Sequence, residues 1–158
     1  MKTETLIQEI EACFPYVEKP QEHLLPFHKE NCHQCYFLVN DLEPYKEKEI
    51  PHEGIREVYT EMSCLSAKAW YWVMPSYLRQ CVLLVDECRD FTEFLIYNFS
   101  PAEEHKPIIT TRLSEFNREQ LNCIISFLHW CNTSDHWVST YCPENLAAAI
   151  AFINKLKA

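Results

Sequence analysis

Apolar residues recur along most of the chain at the three- and four-residue spacing that is typical of amphipathic helices. The first stripe ends at Phe14, where Pro15 follows, because a residue before a proline avoids the α region. The pattern therefore predicts a first helix over residues 3–14. Its apolar positions are Leu6, Ile7, Ile10, Cys13 and Phe14.

The same spacing predicts helices throughout the rest of the chain. A stripe that begins at His28 steps by four and three residues and ends before Pro44. A long central helix is capped by Ser66, is kinked or restarted by Pro75 and continues its stripe as far as Cys88. Further helices are predicted over 53–62, 91–99 and 118–131 and from Pro143 to Lys157.

Two residue pairs have the spacing of a helix-capping box, namely Asp90 with Glu93 and Asn117 with Gln120. The segment ITTRL, residues 109–113, is the only one with strand-like composition. No repeat and no change of composition divides the chain. The predicted fold is therefore a single all-α domain over residues 1–158, with about six to eight helices.

The chain contains one glycine, Gly54, whereas an average content of ~7% would give about eleven. A Walker loop needs two glycines and a dinucleotide-binding turn needs three, because the backbone must approach phosphate closely. A G-x-S-x-G nucleophile elbow also needs two. The common nucleotide-binding folds and the α/β-hydrolases are therefore excluded. No catalytic residue is predicted, and a non-enzymatic protein is favoured.

The chain has 14 basic and 23 acidic residues, which give a net charge of −9. This sign disfavours binding to nucleic acid or to an anionic membrane surface, and it favours a basic protein partner. Apolar residues make up 47% of the sequence, which indicates a packed core rather than a disordered chain.

The first 14 residues have no apolar run typical of an export signal and contain several glutamates instead. The longest apolar stretch, residues 69–85, is interrupted by Pro75 and Arg79 and is shorter than the ~20 residues of a membrane span. A cytoplasmic location is therefore predicted. In that reducing compartment the nine cysteines are expected to be free thiols or metal ligands rather than disulfides.

The segment HKENCHQC, residues 28–35, combines His28 with Cys32 and Cys35. Asn31 can cap a helix that has Gln34 at its third position, which would place both cysteines in the first turn. There the helix dipole favours thiolate. Three interpretations fit this spacing: the side chains continue the apolar stripe, they bind zinc, or the two cysteines form a redox pair.

A structural zinc site takes four protein ligands, and this segment supplies only three that are suitably spaced. The candidates for the fourth are His33, His52 and Cys64. None of them has a partner at the spacing that would mark the second half of a zinc finger. Among the three interpretations, zinc binding would use His28, Cys32 and Cys35 as metal ligands, and it leaves the fourth ligand open.

A cluster of aromatic residues lies within the predicted central helix, at Trp70, Tyr71, Trp72 and Tyr77. Packing in the core accounts for about two of these rings, and Trp and Tyr are favoured at binding hot spots. Trp70, Trp72 and Tyr77 are therefore the predicted candidates for an exposed partner-binding site.

Three stretches of the chain together resemble a family of short, uncharacterised bacterial proteins. They are the H-x3-C-x2-C pattern of His28, Cys32 and Cys35, then LSAKAWYWVMPSYL, then RLSEFNREQ leading into FL. The resemblance covers about residues 26–130. It implies a bacterial cytosolic origin. It does not indicate an activity, because the family has none assigned.

These observations lead to one functional hypothesis and two alternatives. The first is a non-enzymatic protein-interaction module with a basic partner, similar in size and charge to antitoxin or immunity proteins. The second is a zinc-binding protein that uses His28, Cys32 and Cys35, with zinc as the only cofactor considered. The third is a thiol oxidoreductase with a low-pKa thiol at Cys32.

Overall fold

The computed structural model describes residues 1–133 and 135–158, and these residues form nine α-helices and no strand. The predicted all-α class is therefore confirmed. The count exceeds six to eight because two short helices, at residues 106–112 and 138–141, produce no apolar stripe in the sequence. The helices are α1 Thr3–Cys13, α2 His33–Leu42, α3 His52–Val58, α4 Ala67–Leu83, α5 Arg89–Phe99, α6 Lys106–Arg112, α7 Arg118–Cys131, α8 Val138–Tyr141 and α9 Pro143–Leu156.

Helix α4 is the centre of the fold, and most of its residues are buried. It begins as predicted at Ser66, whose hydroxyl oxygen accepts a hydrogen bond of 3.1 Å from the backbone N–H of Ala69. It remains one helix through Pro75 and ends at Leu83 rather than continuing to Cys88, because Leu84 leaves the helical conformation (φ −121°, ψ 56°). At 17 residues it is the longest described helix, and none of the described helices has the length and apolar character of a membrane span.

The helix ends show which local signals determine the structure. Asn117 and Gln120 form the predicted capping box at α7, with hydrogen bonds of 2.9 and 3.0 Å between side chain and backbone. The box predicted at Asp90 is wrong, because α5 begins two residues earlier than predicted and its N-cap, Cys88, makes no side-chain cap bond. The segment ITTRL is not a strand: residues 109–112 form the second half of α6.

The three aromatic residues predicted as an exposed binding site lie in the core instead. Trp70, Trp72 and Tyr77 are all 0% exposed. Their polar atoms donate to backbone carbonyls of other segments, for example Trp70 Nε1 to Met62 at 2.9 Å and the Tyr77 hydroxyl to Phe91 at 2.6 Å. The predicted partner-binding patch is therefore wrong, because neighbouring elements cover α4 on nearly every side.

The buried apolar residues form one core cluster, to which all nine described helices contribute. Helix α7 packs against α1 and α9, and α9 also packs against α5. Helix α2 lies at another part of the molecule, against α3 and the 3₁₀ turn Tyr59–Cys64. The segment with Cys32 and Cys35 therefore meets this 3₁₀ turn rather than the α7–α9 layer.

Candidate metal centre

Four potential metal-ligating side chains converge between the start of α2 and the end of the 3₁₀ turn. They belong to His28, Cys32, Cys35 and Cys64, and one ligand atom from each lies within 4.8 Å of all the others. Ligand atoms around a tetrahedral zinc ion lie roughly 3.5–3.8 Å apart, since metal–ligand bonds are about 2.0–2.3 Å long. Small side-chain movements would therefore bring all four atoms onto one ion.

The first three ligands come from one tight local turn. Asn31 has a φ of 57°, which is the left-handed region that asparagine tolerates better than most residues. The chain bends there, and Cys32 rather than Asn31 is the N-cap of α2, which corrects the predicted cap. The Cys32 sulfur accepts the backbone N–H of Cys35 at 3.4 Å, and Nδ1 of His28 lies 3.3 Å from the Cys35 sulfur.

Cys64 reaches the cluster through a backbone pairing between distant segments. Pro26 and Leu65 form an isolated antiparallel bridge. The N–H of Phe27 donates to the carbonyl of Cys64 at 2.7 Å, and the N–H of Ser66 donates to that of Leu25 at 2.9 Å. His28 comes directly after Phe27, and Cys64 comes directly before Leu65. The pairing of these two segments therefore brings the side chains of His28 and Cys64 close together.

The three thiols differ in pKa. Hydrogen bonds lower the pKa of the partly exposed Cys32, and the largest contribution comes from the backbone N–H of Cys35. Burial raises the pKa of Cys35 to about 12 and also raises the pKa of Cys64. In the absence of a metal ion, Cys32 is therefore the thiol most readily ionised, and the two buried thiols keep their protons.

The structure brings His28, Cys32 and Cys35 together and adds Cys64, one of the three candidates for the fourth ligand. His33 is exposed at the first position of α2 and is not part of the cluster, and His52 lies 3.8 Å from the sulfur of Cys88 instead. The interpretation as one apolar helix face is wrong for His28, which is exposed and precedes α2.

An open pocket of about 530 Å³ borders the cluster on its outer side. His28, Cys32 and Cys35 line it, together with polar residues that include Glu22 and Glu30. Metal ions and chelators therefore have a path to the ligands from solvent.

The sequence gives no indication that Arg112 is buried beside the cluster. Arg112, at the end of α6, is only 6% exposed. Its Nη2 donates to the carbonyl of Ser63, and its guanidinium carbon lies 4.6 Å from the centre of the Phe27 ring. An arginine at the end of a short helix is usually solvated, so only the tertiary structure reveals this burial.

Comparison with known proteins gives a family. Residues 2–143 match DUF6714, a family of unknown function. Searches of curated proteins and of solved structures returned no match. The match extends on both sides beyond residues 26–130, over which the resemblance is predicted, and it includes all four residues of the cluster. The predicted resemblance to an uncharacterised family is therefore confirmed. The chain therefore belongs to DUF6714, a family of unknown function.

Proposed function

We propose that this protein binds one zinc ion through His28, Cys32, Cys35 and Cys64, and that the ion is structural. The convergence of four ligand atoms within 4.8 Å carries the proposal. Three thiolates and one imidazole are a ligand set typical of structural zinc sites. Four protein ligands also fill the tetrahedral shell of zinc and leave no position for water or substrate, which supports a structural rather than a hydrolytic role.

The ion would join two segments that lie far apart in the sequence. One segment carries His28, Cys32 and Cys35, and the other carries Cys64. Their backbones are linked by the bridge of Pro26 with Leu65 and by the two hydrogen bonds beside it. Metal binding would therefore contribute directly to the stability of α2 and the 3₁₀ turn, because a site assembled by folding converts binding free energy into folding free energy.

The two other hypotheses have less support. A redox pair of Cys32 and Cys35 gives no role to His28 or Cys64, and burial opposes ionisation of Cys35. Interaction with a basic protein partner stays a prediction from the net charge of −9, because its predicted aromatic anchor is buried.

Metal analysis of protein expressed and purified without added zinc tests the proposal. We expect about one equivalent of zinc in the wild-type protein and a large loss in Cys64→Ser. The matched control is Cys13→Ser, because Cys13 is a half-buried free thiol outside the cluster, and this variant should retain its zinc. Less than about 0.1 equivalent in fully reduced wild-type protein would refute the proposal.

Metal removal supplies an independent measurement. A high-affinity chelator should lower the Tm of the wild-type protein, and added zinc should restore it. The Tm of Cys64→Ser should respond little to either treatment. Co²⁺ in place of zinc should give the absorption bands of tetrahedral thiolate coordination. If the chelator leaves the wild-type Tm unchanged, the site makes no structural contribution.

A further inference from the structure

Arg112 is a buried charge that forms no ion pair with a carboxylate among the residues that the structure describes. Its side chain is 6% exposed, and its Nε has no hydrogen-bond partner. None of the ion pairs within residues 1–133 and 135–158 includes it. A buried charge without a partner is strongly unfavourable, so a negative group is expected to face it.

The contacts of Arg112 lie on the two segments that carry the metal ligands. Its Nη2 donates to Ser63, the residue before Cys64. Its guanidinium stacks over the ring of Phe27, the residue before His28. Arg112 therefore bridges both halves of the metal centre from α6.

The net charge of a zinc-occupied centre is opposite in sign to the charge of Arg112. Three thiolates and a neutral imidazole around a divalent ion carry a net charge of −1. The unoccupied cluster with neutral thiols has no such charge. Burial lowers the pKa of the Arg112 guanidinium, and the sulfurs of Cys64 and Cys35 would oppose this shift when they are ionised.

We propose that Arg112 is the positioning residue and counter-ion of the metal centre. Its positive charge offsets the net charge of the occupied site, and its contacts hold Ser63 and Phe27 so that Cys64 and His28 face the ion. This inference rests on the proposed zinc site. It adds that a residue outside the ligand set determines how tightly the ion is held, as residues hydrogen-bonded around a metal site commonly do.

The test compares Arg112→Met with the wild-type protein in zinc-loaded and zinc-free forms. Zinc affinity, measured by competition with a chromophoric chelator, should fall about 10- to 100-fold. The Co²⁺ spectrum should keep its tetrahedral form, because all four ligands remain. The Tm of the zinc-loaded form should fall, whereas that of the zinc-free form should stay the same or rise, because the unpaired buried charge is gone.

Arg79→Met is the matched control. Arg79 is also buried, stacks 4.1 Å over Tyr16 and donates to the carbonyl of Phe14, but it does not contact the metal centre. Its substitution should change the Tm of both forms equally and leave zinc affinity unchanged. Arg112→Lys keeps the charge and should recover part of the lost affinity, and it replaces Arg112→Met if that variant does not fold.

The outcomes separate the two proposals. If the wild-type protein binds no zinc, the proposed function fails and the role of Arg112 fails with it. If the wild-type protein binds zinc and Arg112→Met binds it equally tightly, the metal site stands and Arg112 is only a packing residue. An equal loss of Tm in both forms of Arg112→Met, with unchanged affinity, would lead to the same conclusion.

Discussion

Nδ1 of His28 lies 3.3 Å from the sulfur of Cys35, although these residues are seven positions apart and His28 lies outside any helix. Asn31 lies between them with a left-handed φ of 57°, at a bend of the chain. The separation is close to the roughly 3.5 Å between a nitrogen and a sulfur bound to one zinc ion. The geometry of this half of the site is therefore close to that of a zinc-bound pair.

The three cluster thiols should differ in reactivity once the metal is removed. Cys32 is partly exposed and has a lowered pKa, whereas burial raises the pKa of both Cys35 and Cys64. In chelator-treated, reduced protein near neutral pH, iodoacetamide should therefore modify Cys32 first, because the thiolate is the reactive form. Peptide mapping by mass spectrometry at increasing times measures the order.

Zinc provides the control for this experiment. Zinc-loaded protein should be modified more slowly at all three positions, because the thiolates are bound to the ion. Modification of Cys35 or Cys64 ahead of Cys32 would contradict the assigned pKa order. Equal rates with and without zinc would show that the thiols do not bind the ion.

The sequence predicts those parts of the fold that depend on local interactions. Helix α7 has the predicted bounds, because an apolar stripe and the Asn117 cap both lie within a few residues of its start. Cys64 could not be chosen over His33 and His52, because it reaches the cluster through the pairing of Pro26 with Leu65, 39 positions apart. Such a pairing leaves no periodic signal in the sequence.

The error over the aromatic residues has a different cause. Periodicity indicates which face of a helix is apolar, but it does not show how many neighbours cover that helix. Trp70 and Trp72 point in different directions from α4, yet both are buried because other elements surround it. In a helix that is covered on nearly every side, buried aromatic residues can look like an exposed binding patch when only the sequence is known.

Burial of Trp70 leads to a prediction about stability. Trp70→Ala should lower the free energy of unfolding by about 3–5 kcal/mol, the usual cost of removing a large buried aromatic side chain. Its indole also donates to the carbonyl of Met62, which would lose that partner. Tyr36→Ala is the control, because Tyr36 is 66% exposed and its loss should cost about 0.5 kcal/mol or less.

Urea denaturation of both variants measures the difference. A cost near that of Tyr36→Ala would contradict the buried position of Trp70. The experiment therefore separates a structural role for this residue from the binding role that the sequence suggested.

His136 should make the stability of the protein depend on pH. Its side chain is buried, and burial, with a smaller contribution from Arg89, lowers its pKa below the usual 6.5 although Asp135 opposes the shift. The unfolded chain therefore binds a proton at a higher pH than the folded protein does. The free energy of unfolding should decrease as the pH falls below 6.5, and it should be insensitive to this group above that value.

A hydrogen bond gives the local reason for this effect. Nδ1 of His136 faces the backbone N–H of Val138 at 3.3 Å, and a protonated ring could not accept that bond. His136→Asn keeps an acceptor there without a titratable group, so urea unfolding between pH 5 and 8 should show a weaker pH dependence. The exposed His129→Asn serves as the control, and an equal flattening in that variant would contradict the assignment.

Gly54 is buried in α3, and the space around it explains why a larger residue does not fit. A Cβ atom there would lie 2.5 Å from Cγ2 of Ile50 and 3.1 Å from the Tyr45 ring. Ile50 cannot move away easily, because it is fully buried and its N–H donates to the Ser76 hydroxyl at 2.8 Å. The single glycine of the chain therefore occupies a position of close packing.

Gly54→Ala should consequently destabilise the protein despite the better helix propensity of alanine. The propensity gain is about 1 kcal/mol, whereas overpacking a rigid site costs about 1–3 kcal/mol, so we expect a net loss of about 1 kcal/mol. Urea denaturation measures the change. Ile50→Leu moves the branch away from Cβ, so Gly54→Ala should cost less in that background than in the wild type. A stabilising Gly54→Ala in the wild-type background would show that α3 can shift away from Ile50.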